Sequence, residues 1–181
     1  MLTNDITIDE LTGVYNKSFM FEILEKLIDL EKNDNGQLGI IIAELFDLKG
    51  INDLYGFNVG SKVIQQTAML IQRNIRPTDI LARYNANAFG IILPHTDKTK
   101  VFEQAEIIEK SINRNVVNNI PLKKNITVKT RIGISIFPDH ATEPCSLIEA
   151  ATKSLSQAKN ERNSTSVLFN GEFDRLNKVS L

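Results

Sequence analysis

Arg83-Tyr84-Asn85-Ala86-Asn87-Ala88-Phe89 separates two apolar runs, Ile80-Leu81-Ala82 and Phe89-Gly90-Ile91-Ile92-Leu93. Two short apolar segments with a polar break between them read as a β-hairpin. Asn85 is expected to take the left-handed conformation that such a turn needs, because its short side chain bonds locally. Ala86 adopts that conformation only at a cost. From Arg83 to Ala88 the stretch holds neither a glycine nor a carboxylate. A hairpin in mid-chain decides the fold class, because the segments on either side alternate between strand and helix. The sheet is then mixed, with helices on both sides.

Before the hairpin, Lys17 to Lys32 carries Met20, Leu24, Leu27 and Ile28 on one face and reads as a helix, stopped by Asn33-Asp34-Asn35-Gly36. Leu38 to Ala43 is continuously apolar, as a central strand buried on both faces requires. Gly50 to Tyr55 reads as a short helical turn ended by Gly56, and Ser61 to Asn74 as a longer helix. After the hairpin, Thr96 or Asp97 caps a helix whose inner face is Val101, Ala105, Ile108 and Ile112. Asn115 to Asn125 reads as a loop. Thr127 to Ile136 alternates as a strand, Pro138 ends it, and Pro144 opens a helix carrying Leu147, Ala151, Leu155 and Ala158. Val167 to Phe169 is a last short strand.

The chain of 181 residues suits one domain with a substantial core. A formal net charge of −1 offers no bulk attraction to DNA, RNA or an anionic membrane. Cys145 is the only cysteine, so no disulfide can form within the chain. No apolar run reaches the ~20 residues of a membrane span, and no signal peptide is expected at the start. A cytoplasmic location is the plain expectation.

Candidate chemistry collects at strand ends, where α/β sheets bind ligands. Glu44 ends the buried strand, and Lys49, Asn52 and Asp53 follow in one short turn. Asn52 and Asp53 also suit a cap or turn. Gly56 and Gly60 lack the spacing of a phosphate loop. His95 and His140 have no clustered Cys or Glu in sequence to make a metal site. Lys98 and Lys100 are expected to be solvated.

Four motifs in order give the chain a family resemblance. Asp9-Glu10-Leu11-Thr12-Gly13-Val14-Tyr15-Asn16, Lys49-Gly50-Ile51-Asn52-Asp53-Leu54-Tyr55-Gly56, the Arg83 to Phe89 stretch and Arg131-Ile132-Gly133-Ile134-Ser135 resemble the signature segments of a GGDEF domain. The resemblance implies an α/β (α+β) fold like class III nucleotide cyclases, with a mixed, roughly five-stranded sheet. It spans Asp9 to Phe169. Residues 1–170 are expected to form the domain and 171–181 a tail or connector. Active members condense two GTP into cyclic di-GMP between two facing domains. Their hairpin glycines admit phosphates, and their hairpin carboxylates, with one at the end of the first strand, hold Mg²⁺.

The departures fall where that chemistry resides. Asn85 and Ala86 stand for the glycines, and Asn87 and Ala88 for the acidic pair; Phe89 remains. Glu44 is the one metal-ligand candidate, with Phe46 at the next carboxylate position. No cofactor is expected, Mg²⁺ included. For guanine, Asn52 persists but Ser61 replaces an aspartate. Lys49, Asn52, Lys159 and Arg162 are the candidate nucleotide contacts, Arg162 following Lys159 by three positions instead of the family's four. Arg76-Pro77-Thr78-Asp79 fits the R-x-x-D of the family's product-binding inhibitory site, with Ile107 where a second arginine belongs. The resemblance therefore implies a catalytically inactive, degenerate domain with a regulatory or protein-interaction role. A receptor for cyclic di-GMP or GTP is the alternative, and a residual cyclase the third reading. Expected partners are an EAL phosphodiesterase domain or another signalling protein, with a homodimer compatible. The tail suggests that the chain is cut from a longer protein.

Overall fold

The computed structural model describes residues 7–114, 116–119, 124–160 and 166–168. Arg162 and the tail 171–181 lie outside the described residues, as does the side chain of Lys159.

Strand β1 (Tyr15–Asn16) leads into α1 (Lys17–Asp34), whose first turn is capped by Asn16 Oδ1 accepting the Phe19 N–H at 2.9 Å. Asn35 ends α1 in the left-handed region at φ 49°. Strand β2 (Leu38–Phe46), α2 (Leu48–Tyr55) and α3 (Phe57–Asn74) follow. The hairpin is β3 (Ile80–Asn85) and β4 (Ala88–Leu93). Helix α4 (Lys98–Asn113) is capped by Asp97, the second of the two expected capping residues. Strands β5 (Val116–Asn119), β6 (Lys124–Thr127) and β7 (Lys129–Phe137), helix α5 (Pro144–Asn160) and β8 (Ser166–Leu168) complete the order.

The main sheet runs β1-β3-β4-β2-β7-β8, antiparallel from β3 to β7 and parallel at both edges. It is the expected mixed sheet of five strands with the two-residue β1 added at one edge. Successive β2 residues point to opposite faces. Ile41, Ala43 and Leu45 join the core beneath α3 and α4, with Val63, Ile71, Val101 and Ile108. Leu38, Ile40 and Ile42 join the core beneath α1 and α5, with Met20, Leu24, Leu147 and Leu155. Glu44 and Phe46 continue the second series past the end of that core, so their side chains belong to the α1/α5 face. β2 thus runs three residues beyond the expected Ala43.

Three expectations need correction. The helix expected from Ser61 begins at Phe57. Gly60 obscured its first turn, and that glycine answers a packing demand: a Cβ there would overlap Asn52 Oδ1. The expected loop Asn115 to Asn125 holds most of the β5–β6 ribbon, paired Val116↔Thr127 to Asn119↔Lys124, and Thr127, the expected start of the long strand, belongs to that ribbon, so β7 starts at Lys129. Ladder bonds of an isolated ribbon involve only the backbone, so its asparagine-rich sequence shows no alternation to detect. Third, Asn85 is not left-handed. Among the described non-glycine residues positive φ occurs at Asn35, Asp47 and His95. The hairpin instead shifts register between Arg83 and Asn85 and closes through Asn85 Oδ1, which accepts the Asn87 N–H at 3.0 Å.

His140 fastens the turn after β7, its Nδ1 accepting the Ile136 N–H at 2.8 Å. Burial holds its pKa below the ordinary histidine value, Asp139 opposing and Lys98 adding to the shift. Only the unprotonated ring can accept there, so the folded state binds fewer protons than the unfolded chain. Stability from this contact is complete above the unfolded value of 6.5 and is lost as pH falls through the folded one. His140→Asn, which keeps an acceptor, is expected to flatten the fall in melting temperature between about pH 7 and about pH 5. An unchanged slope would contradict this.

Candidate functional site

The end of β2, the β3–β4 turn and the start of β7 meet at one end of the sheet. Glu44 pairs with Ala88 on one side and Arg131 on the other, and Phe46 pairs with Lys129. The turn is held from within by Arg83. Its Nε donates to the Asn85 carbonyl at 2.7 Å, and its Nη2 donates to the Ala86 carbonyl. The Arg83 side chain is 11% exposed and lies 3.7 Å from Asp9 Oδ1, the carboxylate that also accepts from Thr12. Burial lowers the Arg83 pKa and Asp9 opposes that shift. The first and third signature motifs are thereby joined in space.

Asn87 stitches the turn to β2. Its Nδ2 donates to Glu44 Oε1 at 3.1 Å and to the Leu45 carbonyl at 3.2 Å, and its own carbonyl accepts the Leu45 N–H at 2.7 Å. Ala88 and Phe89 are buried. Asn87 therefore presents its amide to Glu44, and Ala88 packs its methyl into the core.

Lys49 is exposed on α2, as is Asp53. Asn52, one turn on from Lys49, turns its amide oxygen onto Gly60, where it is buried without a hydrogen-bond donor. That contact places Asn52 against the residue before Ser61. The Lys159 side chain and Arg162 lie outside the described residues.

Two features at this sheet end escape sequence reasoning. The Arg131 guanidinium lies over the Phe46 ring, 4.3 Å from its centroid, and Phe46 is 48% exposed. A basic residue near the start of one strand and Glu44-x-Phe46 closing another were visible, but their pairing depends on the β2–β7 register, which no local pattern specifies.

The Arg76 and Asp79 side chains form a closed turn between α3 and β3. Arg76 Nε and Nη2 donate to Asp79 Oδ1 at 3.0 and 2.7 Å, and the Arg76 N–H donates to Asp79 Oδ2 at 2.8 Å. Nη2 also reaches the Pro94 carbonyl at 3.1 Å and Thr96 Oγ1 at 2.6 Å. Asp79 is fully buried at the side chain and Arg76 is 46% exposed. A cleft of about 180 Å³ beside Arg76 is lined by Thr96, Lys100, Gln104 and Ile107. Ile107, expected where a second arginine belongs, lines the same cleft as Arg76. Lys100 is 68% exposed as expected and pairs with Asp97 at 3.2 Å.

The two histidines serve different elements: His95 Nδ1 lies 3.1 Å from Glu31 Oε1, and His140 Nδ1 accepts the Ile136 N–H. Among the described residues no group of three or more His, Cys, Asp or Glu stands together. Among them, too, no helix is long and apolar enough to cross a membrane.

The family model described as "Diguanylate cyclase, GGDEF domain" matches residues 6–165. The chain belongs to the GGDEF domain family. The response regulator PleD of Caulobacter vibrioides is 25% identical over 151 residues, 83% of this chain and 33% of its own length. Diguanylate cyclase A of Treponema denticola is 31% identical over 163 residues, 87% of this chain and 43% of its own length. The GGDEF chain therefore spans between a third and a half of these relatives. The GGDEF domain of DgcB from Caulobacter crescentus, solved in complex with cyclic di-GMP, superposes with a TM-score of 0.85 at 20% identity, covering 93% of this chain and 98% of that one. The diguanylate cyclase SiaD from Pseudomonas aeruginosa, solved with its activator SiaC, gives 0.83 at 20% identity, covering 89% and 61%. These likenesses establish the nucleotide-cyclase type of α+β fold.

Proposed function

We propose that this GGDEF domain forms no cyclic di-GMP and acts as a regulatory or protein-interaction module in cyclic di-GMP signalling. The contact of Asn87 with Glu44 carries the reading, because an amide N–H occupies the place where a second carboxylate would share a metal. Mg²⁺ demands near-octahedral oxygen ligands, usually with one or two carboxylates beside the substrate phosphates. In this reading the donor set does not fit it. Glu44 is the single carboxylate on the paired strands here, Asn87 offers donors, and Arg131 stands on the facing residue. The Ala86 methyl group also takes space that a glycine would leave to phosphate.

The partners that suit such a module are an EAL phosphodiesterase domain, another signalling protein, or a second copy of the domain. SiaD, crystallised with an activator protein, supports protein-level control in this fold. Residual GTP binding through Lys49 and Asn52 belongs to the same reading, with affinity no tighter than about the high-micromolar range. A cytoplasmic location goes with it.

A second reading, a cyclic di-GMP receptor at Arg76 and Asp79, draws support from the cleft beside Arg76 with Lys100 and Gln104 on its wall. Weighing against it, the Arg76 Nε and Nη2 donors are already spent on Asp79, Pro94 and Thr96. Ile107 contributes no charge.

Condensing two GTP into the cyclic product releases pyrophosphate, so turnover is readable by a pyrophosphate-coupled assay. With GTP and Mg²⁺ or Mn²⁺ the signal is expected to stay at buffer background. A rate that scales with protein and vanishes in Glu44→Ala would overturn the proposal.

A further inference from the structure

At the sheet end Arg131 stands beside the one carboxylate that a metal would need. Directly paired residues on antiparallel strands hold their Cβ atoms about 4.5–5.5 Å apart, and Arg131 is the direct partner of Glu44. A divalent ion placed on Glu44 would share this face of the sheet end with the Arg131 guanidinium, which is held over Phe46 two residues along β2. Lys129, two residues before Arg131 and therefore on the same face, adds a second cation opposite Phe46. Among the described residues of the paired strands, Lys129 and Arg131 share this face with one carboxylate, Glu44, whose Oε1 accepts from Asn87 Nδ2.

Among the described residues the Arg131 guanidinium makes neither hydrogen bond nor ion pair; its contact is the face of Phe46. Stacking on a ring orients the guanidinium plane and leaves its edge donors free. An arginine so held presents a planar fork that matches phosphate oxygens bidentately. The half-exposed Phe46 keeps one side of the fork dry.

We infer that Arg131, stacked on Phe46 opposite Glu44, replaces the divalent ion of this site and binds the polyphosphate of a nucleoside triphosphate directly, without metal. The inference rests on reading the sheet end as the former nucleotide site, and it names how that site now meets phosphate. A metal-free nucleotide carries more negative charge than its Mg²⁺ complex, so added Mg²⁺ competes with Arg131 instead of assisting it.

The test is calorimetric titration of the purified chain with GTP, in EDTA and in excess Mg²⁺, with inorganic triphosphate as a parallel probe. Expected is saturable binding in EDTA that weakens several-fold in Mg²⁺. Arg131→Ala should weaken it at least tenfold with an unchanged melting temperature. Arg131→Lys, which keeps charge and loses the fork, should fall between. Binding that requires Mg²⁺, binding indifferent to Arg131→Ala, or no binding at all would each overturn the inference. Inorganic triphosphate binding as tightly as GTP would overturn its nucleotide part. Whether cyclic di-GMP is formed is read by the pyrophosphate assay and not by these titrations, so failure of the inference and failure of the regulatory reading are distinguishable.

Discussion

Asp79→Ala is expected to lower the melting temperature by roughly 5–15 °C, the equivalent of about 2–4 kcal/mol in a domain of this size. Its carboxylate is fully buried and accepts from the Arg76 N–H, Nε and Nη2. Removing it leaves a backbone donor without its partner and a guanidinium held against the Pro94 carbonyl. The estimate stays at a few kcal/mol because Arg76 is 46% exposed and water can take over part of its solvation. Asp79→Asn, which keeps one acceptor oxygen, should fall midway. A melting temperature like that of the unsubstituted chain would mean that the turn is not a clamp. The clamp also governs how ligand binding is read. Thr96 and Pro94 belong to the β4–α4 connection, so Arg76 ties two crossings of the sheet together. A loss of cyclic di-GMP binding in Arg76→Ala indicates a receptor only if the fold is shown to be unchanged.

Gly133→Ala is expected to cost about 3 kcal/mol or more, or to prevent soluble expression. Helix α5 lies directly on β7 at this residue. A Cβ at Gly133 would overlap the Ala151 carbonyl oxygen and crowd the Leu155 N–H. Both neighbours are backbone, so no rotamer change relieves the contact and the helix itself must lift. Around it Ser135 Oγ donates to the Leu147 carbonyl at 2.7 Å and Ser154 Oγ accepts the Ile134 N–H at 2.9 Å, bonds that a lifted helix would stretch. Thermal melts of Gly133→Ala within about 2 °C of the unsubstituted chain would show that α5 yields more easily than this packing implies.

How far the sequence could be read depended on whether a feature is local. The apolar run at Leu38, the 3.6-residue spacing from Val101 to Ile112 and the alternation from Val128 to Ile136 each declare an element without reference to the rest of the chain. The hairpin was visible, but its closure was not. An asparagine side chain bonded to a backbone amide two residues on closes a turn as well as a left-handed residue does. The start of α3 was hidden by Gly60, whose reason is a contact with Asn52 eight residues earlier. The candidate site divides the same way. Asn87, Ala88 and Glu44 could be named from motif positions, and the structure joins Asn87 to Glu44. Arg131 and Phe46 could not, since their meeting follows from strand pairing across more than eighty residues of chain.

The measurement that bears most directly on the proposed loss of catalysis is chromatographic detection of cyclic di-GMP. Concentrated protein is incubated for hours with GTP and Mg²⁺ or Mn²⁺, beside a Glu44→Ala control. The account predicts no cyclic di-GMP in either sample. Cyclic di-GMP that accumulates with the unsubstituted chain and disappears with Glu44→Ala would contradict it, and would show that one carboxylate still holds the metal that the hairpin no longer supports.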